Sequence, residues 1–290
     1  MNSIRISNIL LAGVALLLSP WVMKAQSTET FRSWNQPIAP FHIIGNVYYI
    51  GASDVTSFLI TTPAGHIVID GGFVETAPLI EKNIRDLGFK LEDVKVLLSS
   101  HAHFDHAGGL AELKRLTGAR LIASEPEAQQ LARGGKGDFH YGDWGAFPPV
   151  TADQTVKDGE KVELGGVTLT AHLTPGHTKG NTTWTMKTSE GDRSYDVVVM
   201  GSLSAPGYKL VNNTNYPNIV ADYTHSFAVL KKLPCDVFLS QHGFNFSLKE
   251  KMAGKDGKEN PFIDPAGYRK AIEQADRSLE KQLKRESLNR

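Results

Sequence analysis

The chain is predicted to be an α/β protein, a four-layer αββα sandwich in which two sheets stack between outer helices. Three observations predict it. Short apolar runs of strand length recur along the chain, punctuated by glycine and proline. Segments with apolar residues at helical spacing lie among them rather than after them. The same clustering of strands with helices occurs in each half, with no tandem repeat and no low-complexity segment.

Residues 1–25 are read as a secretory signal peptide. Arg5 sits in a short polar start, 9–18 form an apolar core, Ser19-Pro20 breaks it, and Ala25 is the small residue before the cut. The core is short for a membrane span of about 20 residues, which argues against an uncleaved anchor. No cysteine stands near the cut, so a lipoprotein anchor is excluded. Residues 26–290 are then expected to form one domain, with ample material for a core. Lys plus Arg number 31 and Asp plus Glu 31, so the formal charge is zero. That balance points to no nucleic acid and, once the leader is gone, no membrane as partner. Cys235 is the only cysteine, so no disulfide can form within the chain, and it is read as a small packed residue.

In order, 41–51 read as a hairpin and 57–62 as a strand. Pro63-Ala64-Gly65 is a turn, and 66–70 a buried strand that ends in Gly71-Gly72. Residues 77–87 carry Leu79, Ile80, Ile84 and Leu87 at helical spacing, with Gly88 as the stop. Residues 94–98 are a buried strand, 109–116 a helix stopped at Gly118, 120–123 a strand and 125–131 a helix. Residues 134–149 are glycine-rich and aromatic, a long irregular loop of the kind that tends to be functional. In the second half 161–164, 167–173, 182–188, 194–200 and 237–240 read as strands, and 222–232 and 265–288 as helices. Trp34 stands in a polar lead-in and is expected to pack against something.

The chemistry is concentrated in His101-Ala102-His103-Phe104-Asp105-His106-Ala107-Gly108-Gly109, at the carboxyl end of the strand 94–98. Ligands in open α/β layers usually bind at that end. Side chains two apart in an extended segment point the same way, so His101 and His103 can converge on one ion. The turn that follows can swing Asp105 and His106 to a second point. A loop of solvated histidines is the bland alternative, but crowding titrating groups is costly unless something offsets it. His177, in the tight loop Pro175-Gly176-His177-Thr178, and His242, at the end of the strand 237–240, are placed the same way. Both are expected to be ligands. His42, His66, His140, His172 and His225 lack such positions. Asp70 is read as support for the site or a turn former rather than as a ligand.

His101-Ala102-His103-Phe104-Asp105-His106 resembles the His-x-His-x-Asp-His signature of the metallo-β-lactamase superfamily, and the likeness runs through nearly all of the mature chain. The superfamily also holds thioesterases, lactonases and nucleases. Three features are similar to the third subclass of class B β-lactamases. Serine stands at Val199-Met200-Gly201-Ser202, where glyoxalase II relatives have a bridging aspartate. The stretch Ser202-Leu203-Ser204-Ala205-Pro206-Gly207-Tyr208 looks like the segment that holds a substrate carboxylate. The stretches around Gly176-His177-Thr178-Lys179-Gly180 and Ala132-Arg133-Gly134-Gly135 agree with that subclass. The first subclass would have a cysteine ligand near Ser202, and the second an asparagine in place of His101. Several relatives pair the cysteine at Cys235 with a later one, which is lacking here.

The resemblance implies two Zn²⁺ per chain, one held by His101, His103 and His177 and the other by Asp105, His106 and His242. Nitrogen and oxygen ligands without thiolate suit zinc. It implies a hydroxide shared by ions about 3.5–4 Å apart that attacks a β-lactam carbonyl, with Asp105 as the catalytic acceptor that orients it. Ser202 and Ser204 would bind the substrate carboxylate, with Lys179 as a helper, and Trp34 and the loop 134–149 would wall the site. The implied activity is a periplasmic or secreted β-lactamase acting on penicillins, cephalosporins and carbapenems, and so conferring antibiotic resistance. The alternatives are a lactonase or thioesterase on the same fold, or a non-catalytic zinc protein. Structural zinc sites are closed and cysteine-rich, which counts against the last. No heptad or exposed apolar helix announces an oligomer, so a monomer is expected.

Overall fold

Two sheets face each other through the main core. The computed structural model describes residues 29–255, 257 and 259–288; the expected signal peptide lies outside them. The first sheet has seven strands in sequence order: β1 (Phe41–Ile44), β2 (Val47–Tyr49), β3 (Phe58–Thr62), β4 (Gly65–Ile69), β5 (Val94–Leu98), β6 (Arg120–Ser124) and β7 (Gln154–Val156). The second has five, ordered β12 (Val237–Ser240), β11 (Arg193–Met200), β10 (Thr182–Glu190), β9 (Val167–Leu173) and β8 (Lys161–Leu164).

Alternation along the strands explains the layering. Ile67 and Ile69 of β4 and Val96 and Leu98 of β5 point between the sheets, where they meet Leu169, Trp184, Val197 and Val199. Val68 and Leu97 point outward and pack under helices α1 (Ala77–Asp86), α3 (Leu110–Thr117) and α4 (Glu125–Ala132). Successive side chains of a strand face opposite ways, so strands covered on both faces read as continuous apolar runs. The outer side of the second sheet is closed by α5 (Ile219–Leu230) and α7 (Pro265–Leu288), whose Phe227, Leu230, Ile272 and Leu279 are buried. The predicted αββα order is therefore the observed one.

Trp184 is fully buried between the sheets, and its indole N–H donates to the Ser99 carbonyl at 3.4 Å. Trp184→Ala is expected to cost about 3–5 kcal/mol of stability, read from denaturant unfolding of the apo protein. A loss below about 1 kcal/mol would show that this ring does not hold the sheets together.

Strand direction places the site. β4, β5, β6 and β7 run parallel, as do β11 and β12. β9 and β11 both run antiparallel to β10 and so parallel to each other. The carboxyl ends of β4, β5, β9, β11 and β12 thus gather on one edge, and there the sheets are stitched together. Thr182 N–H donates to Ser100 O at 2.8 Å and Thr56 N–H to Gln241 O at 3.0 Å.

Residues 29–34, read as part of a polar lead-in, are helical, and three further elements depart from expectation. Residues 104–107, read as a turn, form a short helix α2 (Phe104–Ala107). α5 begins at Ile219 rather than at 222, because Ile219 is buried and packing starts the helix without a side-chain cap. Helix α6 (Leu248–Gly254) was not expected; its lysines and terminal glycine mask a short apolar face of Leu248 and Met252.

Candidate metal centre and substrate cavity

The extended backbone after β5 carries His101 and His103, with rings 4.9 Å apart, and α2 then turns Asp105 and His106 inward. The loop after β9 brings His177, and the end of β12 brings His242. The structure gathers these six side chains into two trios, His101, His103, His177 and Asp105, His106, His242. Within each trio the candidate ligand atoms lie within 4.8 Å of one another. His103 Nδ1 is 3.1 Å from His177 Nε2, and His106 Nε2 is 3.2 Å from His242 Nε2. Asp105 Oδ2 is 3.4 Å from His106 Nε2 and 3.5 Å from His242 Nε2.

The hydrogen bonds behind the rings decide which nitrogens are bare. His177 Nδ1 donates to the Ser204 carbonyl at 2.7 Å, and a carbonyl only accepts. His242 Nδ1 faces the Asp54 carboxylate at 2.8 Å. Ser100 donates its hydroxyl to Asp70 at 2.6 Å, so it accepts from His101 Nδ1 at 3.1 Å. In neutral rings each leaves Nε2 without a hydrogen. His101 Nε2 is buried and finds no hydrogen-bond partner among the described residues. Lone pairs packed against one another in a dry site are unfavourable unless a cation lies between them. The donor set therefore fits two metal ions, and the two trios suggest a dinuclear metal site.

Electrostatics agree. Burial, reinforced by the neighbouring imidazoles, pulls His101 and His177 well below the usual histidine range, so they are neutral. Burial would raise Asp105, but His106 and His242 hold it well below the usual carboxylate range. Burial would lower His242, but hydrogen bonds to Asp105 and Asp54 raise it to about 9. Binding a metal there must release a proton.

A cavity of about 370 Å³ opens onto the site. His103, Asp105, His177 and His242 line it together with Ser202 and Ser204, and Phe31, Trp34, Phe104, Tyr141, Trp144 and Phe244 form apolar walls. The two serine hydroxyls lie 3.3 Å apart, Ser202 buried and Ser204 exposed. Trp34 packs edge-on to His242 with ring centres 5.0 Å apart. Lys179 does not line the cavity; its Nζ stands 5.4 Å over the Tyr216 ring.

The sequence model of the metallo-β-lactamase superfamily matches residues 50–242. The chain belongs to this superfamily. It is a hydrolase of that family, and solved structures of similar proteins agree along the chain. The metallo-β-lactamase FEZ-1 from Legionella gormanii is 46% identical, with a TM-score of 0.85, over 87% of this chain and 98% of that one. The subclass B3 metallo-β-lactamase BJP-1 of Bradyrhizobium japonicum is 37% identical, with a TM-score of 0.85, over 90% and 99%. The class B3 di-zinc metallo-β-lactamase LRA-12 from an Alaskan soil metagenome is 36% identical, with a TM-score of 0.81, over 86% and 96%. Curated relatives match in part. A hydroxyacylglutathione hydrolase of Methylobacterium nodulans is 32% identical over 111 residues, 38% of this chain and 35% of its own length. The N-acyl homoserine lactonase AttM of Agrobacterium fabrum is 30% identical over 164 residues, 44% of this chain and 57% of its own. The chain thus spans about a third to just over half the length of these curated relatives.

The superfamily fold explains two residues that sequence reasoning missed. Asp54 orients His242 from 188 positions away in the chain and also accepts the Phe244 N–H at 2.9 Å. Ser100 links Asp70 to His101, so Asp70 supports the site as expected. Neither has a local signature: Asp54 lies in a polar turn, and Ser100 is one of two serines after a strand.

Proposed function

We propose that this superfamily hydrolase is a di-zinc β-lactamase that opens the amide ring of penicillins, cephalosporins and carbapenems, and so confers antibiotic resistance. The observation that carries the reading is the pair Ser202 and Ser204, whose hydroxyls stand together in the cavity shared by both histidine trios. An anionic substrate carboxylate accepts from two such hydroxyls. Likeness to metallo-β-lactamases along most of the chain supports the same reading.

His101, His103 and His177 would hold one zinc, and Asp105, His106 and His242 the other. Bound zinc supplies an electrophile for the carbonyl oxygen and brings the pKa of water to about 7. The remaining work falls to the chain. Asp105, kept ionised by His106 and His242, accepts a hydrogen bond from the attacking water and so orients it. Ser202 and Ser204 would fix the ring carboxylate and thereby aim the amide carbonyl at the water that Asp105 orients. Trp34, Phe104, Tyr141 and Trp144 pack against the acyl side chain and exclude water. The enzyme is proposed to act as a monomer on a small molecule, in the periplasm or outside the cell, as one domain over 26–290 after loss of a leader over 1–25. No helix among the described residues is long and apolar enough to cross a membrane.

The partial match to a glutathione thioesterase and a homoserine lactonase keeps one second reading, a lactonase or thioesterase. Purified protein with zinc is to be assayed on nitrocefin and a carbapenem, beside an acyl-homoserine lactone and an S-acyl glutathione. Turnover of the β-lactams is expected; turnover confined to the other two would replace the proposal with the second reading. Ser204→Ala is expected to raise KM about tenfold with kcat nearly unchanged, since a hydrogen bond to a charged group contributes about 1.5–3 kcal/mol to ground and transition states alike. The substitution spares the Ser204 carbonyl that holds His177. An unchanged KM would remove Ser204 from substrate binding.

A further inference from the structure

Glu127 sits in the first turn of α4, yet it is 1% exposed and points into the protein. Its carboxylate reaches both loops that carry the three-histidine trio. Oε2 accepts the Ala102 N–H at 2.5 Å, and Ala102 lies between His101 and His103. Oε1 accepts the Gly180 N–H at 2.9 Å and the Thr178 hydroxyl at 2.5 Å, and Thr178 follows His177 directly. The lysine and arginine ion pairs among the described residues all lie elsewhere. Helix and loop are in direct contact. A Cβ at Gly180 would meet Ser124 Oγ at 2.4 Å and Glu127 Cγ at 3.0 Å, and Ser124 Oγ donates to Gly180 O at 2.6 Å.

We infer that Glu127 is a positioning residue for one half of the metal centre: a single carboxylate that clasps the His101/His103 loop to the His177 loop and sets the spacing of those three ligands. The inference rests on the metal reading above. Its physical basis is that two backbone N–H groups point at different oxygens of the same side chain. Both oxygens must accept, which a carboxylate does and an amide cannot. Glu127→Gln keeps the shape but turns an NH₂ group onto a backbone N–H, so one loop is released. The other trio is supported separately, by α2 and by Asp54 behind His242. The clasp therefore acts on one ion and not the other.

The test compares wild type, Glu127→Gln, Asp54→Asn and Thr178→Val, each stripped of metal, reloaded with zinc alone and titrated with a chromophoric chelator. Wild type is expected to release zinc in two steps. Glu127→Gln should weaken one step by about 10–100-fold, the usual effect of removing a group that orients metal ligands. Thr178→Val should weaken the same step less, and Asp54→Asn the other step. Unshifted steps in Glu127→Gln would overturn the clasp, as would a shift in the step that Asp54→Asn moves. If circular dichroism shows Glu127→Gln unfolded, Thr178→Val decides, and an unchanged step there overturns it. A wild type that takes up no zinc would overturn the metal reading and the clasp together, whereas two wild-type steps with an unshifted variant would overturn the clasp alone.

Discussion

Asp105→Ala is expected to lower kcat on nitrocefin by about 10²–10⁴-fold, the range lost with a positioned proton acceptor, in saturating zinc and with little rescue by more substrate. The carboxylate is 7% exposed, and one of its oxygens is 3.4 Å and 3.5 Å from the Nε2 atoms of His106 and His242. Removing it leaves two imidazoles facing each other at 3.2 Å with no negative charge between them. The site loses a ligand and the acceptor for the water's proton in one step. Asp105→Asn separates shape from charge: it keeps the volume and should lose kcat to a similar extent. A kcat within about tenfold of wild type in either variant would show that the proton is accepted elsewhere.

Chelation is the second large effect. Protein stripped of metal should lose all β-lactam turnover and regain it when zinc is restored. It should also be easier to unfold, because a ligand at 100 times its Kd adds about 2.7 kcal/mol to the folded state. The structural reason is the set of aimed nitrogens: His101 Nε2 and His177 Nε2, both bare, and His242 Nε2, which gives up its proton to a metal, are held in place by Ser100, the Ser204 carbonyl and Asp54. The histidines of the stripped protein should contribute most to its stability near pH 6.5. His101 and His177 have lowered pKa values in the folded state, so acid protonates the unfolded chain first, and stability is lost as pH falls below about 6.5. His242 is raised to about 9, so its contribution is present below about 6.5 and is lost as pH rises through 9. Unfolding midpoints at several pH values, with and without zinc, check both directions. Stripped protein that still turns over β-lactams would exclude metal from the reaction.

The linear chain determined much of this protein's site, because its ligands are clustered. Four of the six metal-type side chains fall within His101 to His106, and a strand, a turn and a glycine pair around them are local features that composition and spacing reveal. The strands are legible for a similar reason. Burial on both faces makes the inner parts of β4, β5 and β12 short apolar runs, 67–69, 96–98 and 237–239. Helix α6 was illegible because its apolar face is only a few residues wide amid lysines, and its stability comes from the core it lies on.

Only the tertiary structure decided how the six side chains work together. His177 and His242 reach the motif because β9, β11 and β12 end on the edge where β4 and β5 end, and strand order across two sheets has no local signal. The partner of His177 is a backbone carbonyl, and every residue has one, so no residue type betrays it. Asp54 meets His242 across 188 positions, and Glu127 joins Ala102 to Gly180 through backbone N–H groups. The chemistry of each ligand is a property of its side chain and can be read one residue at a time. Which nitrogen is bare, and how far one loop stands from another, depends on hydrogen bonds between distant segments, and these exist only once the chain has folded.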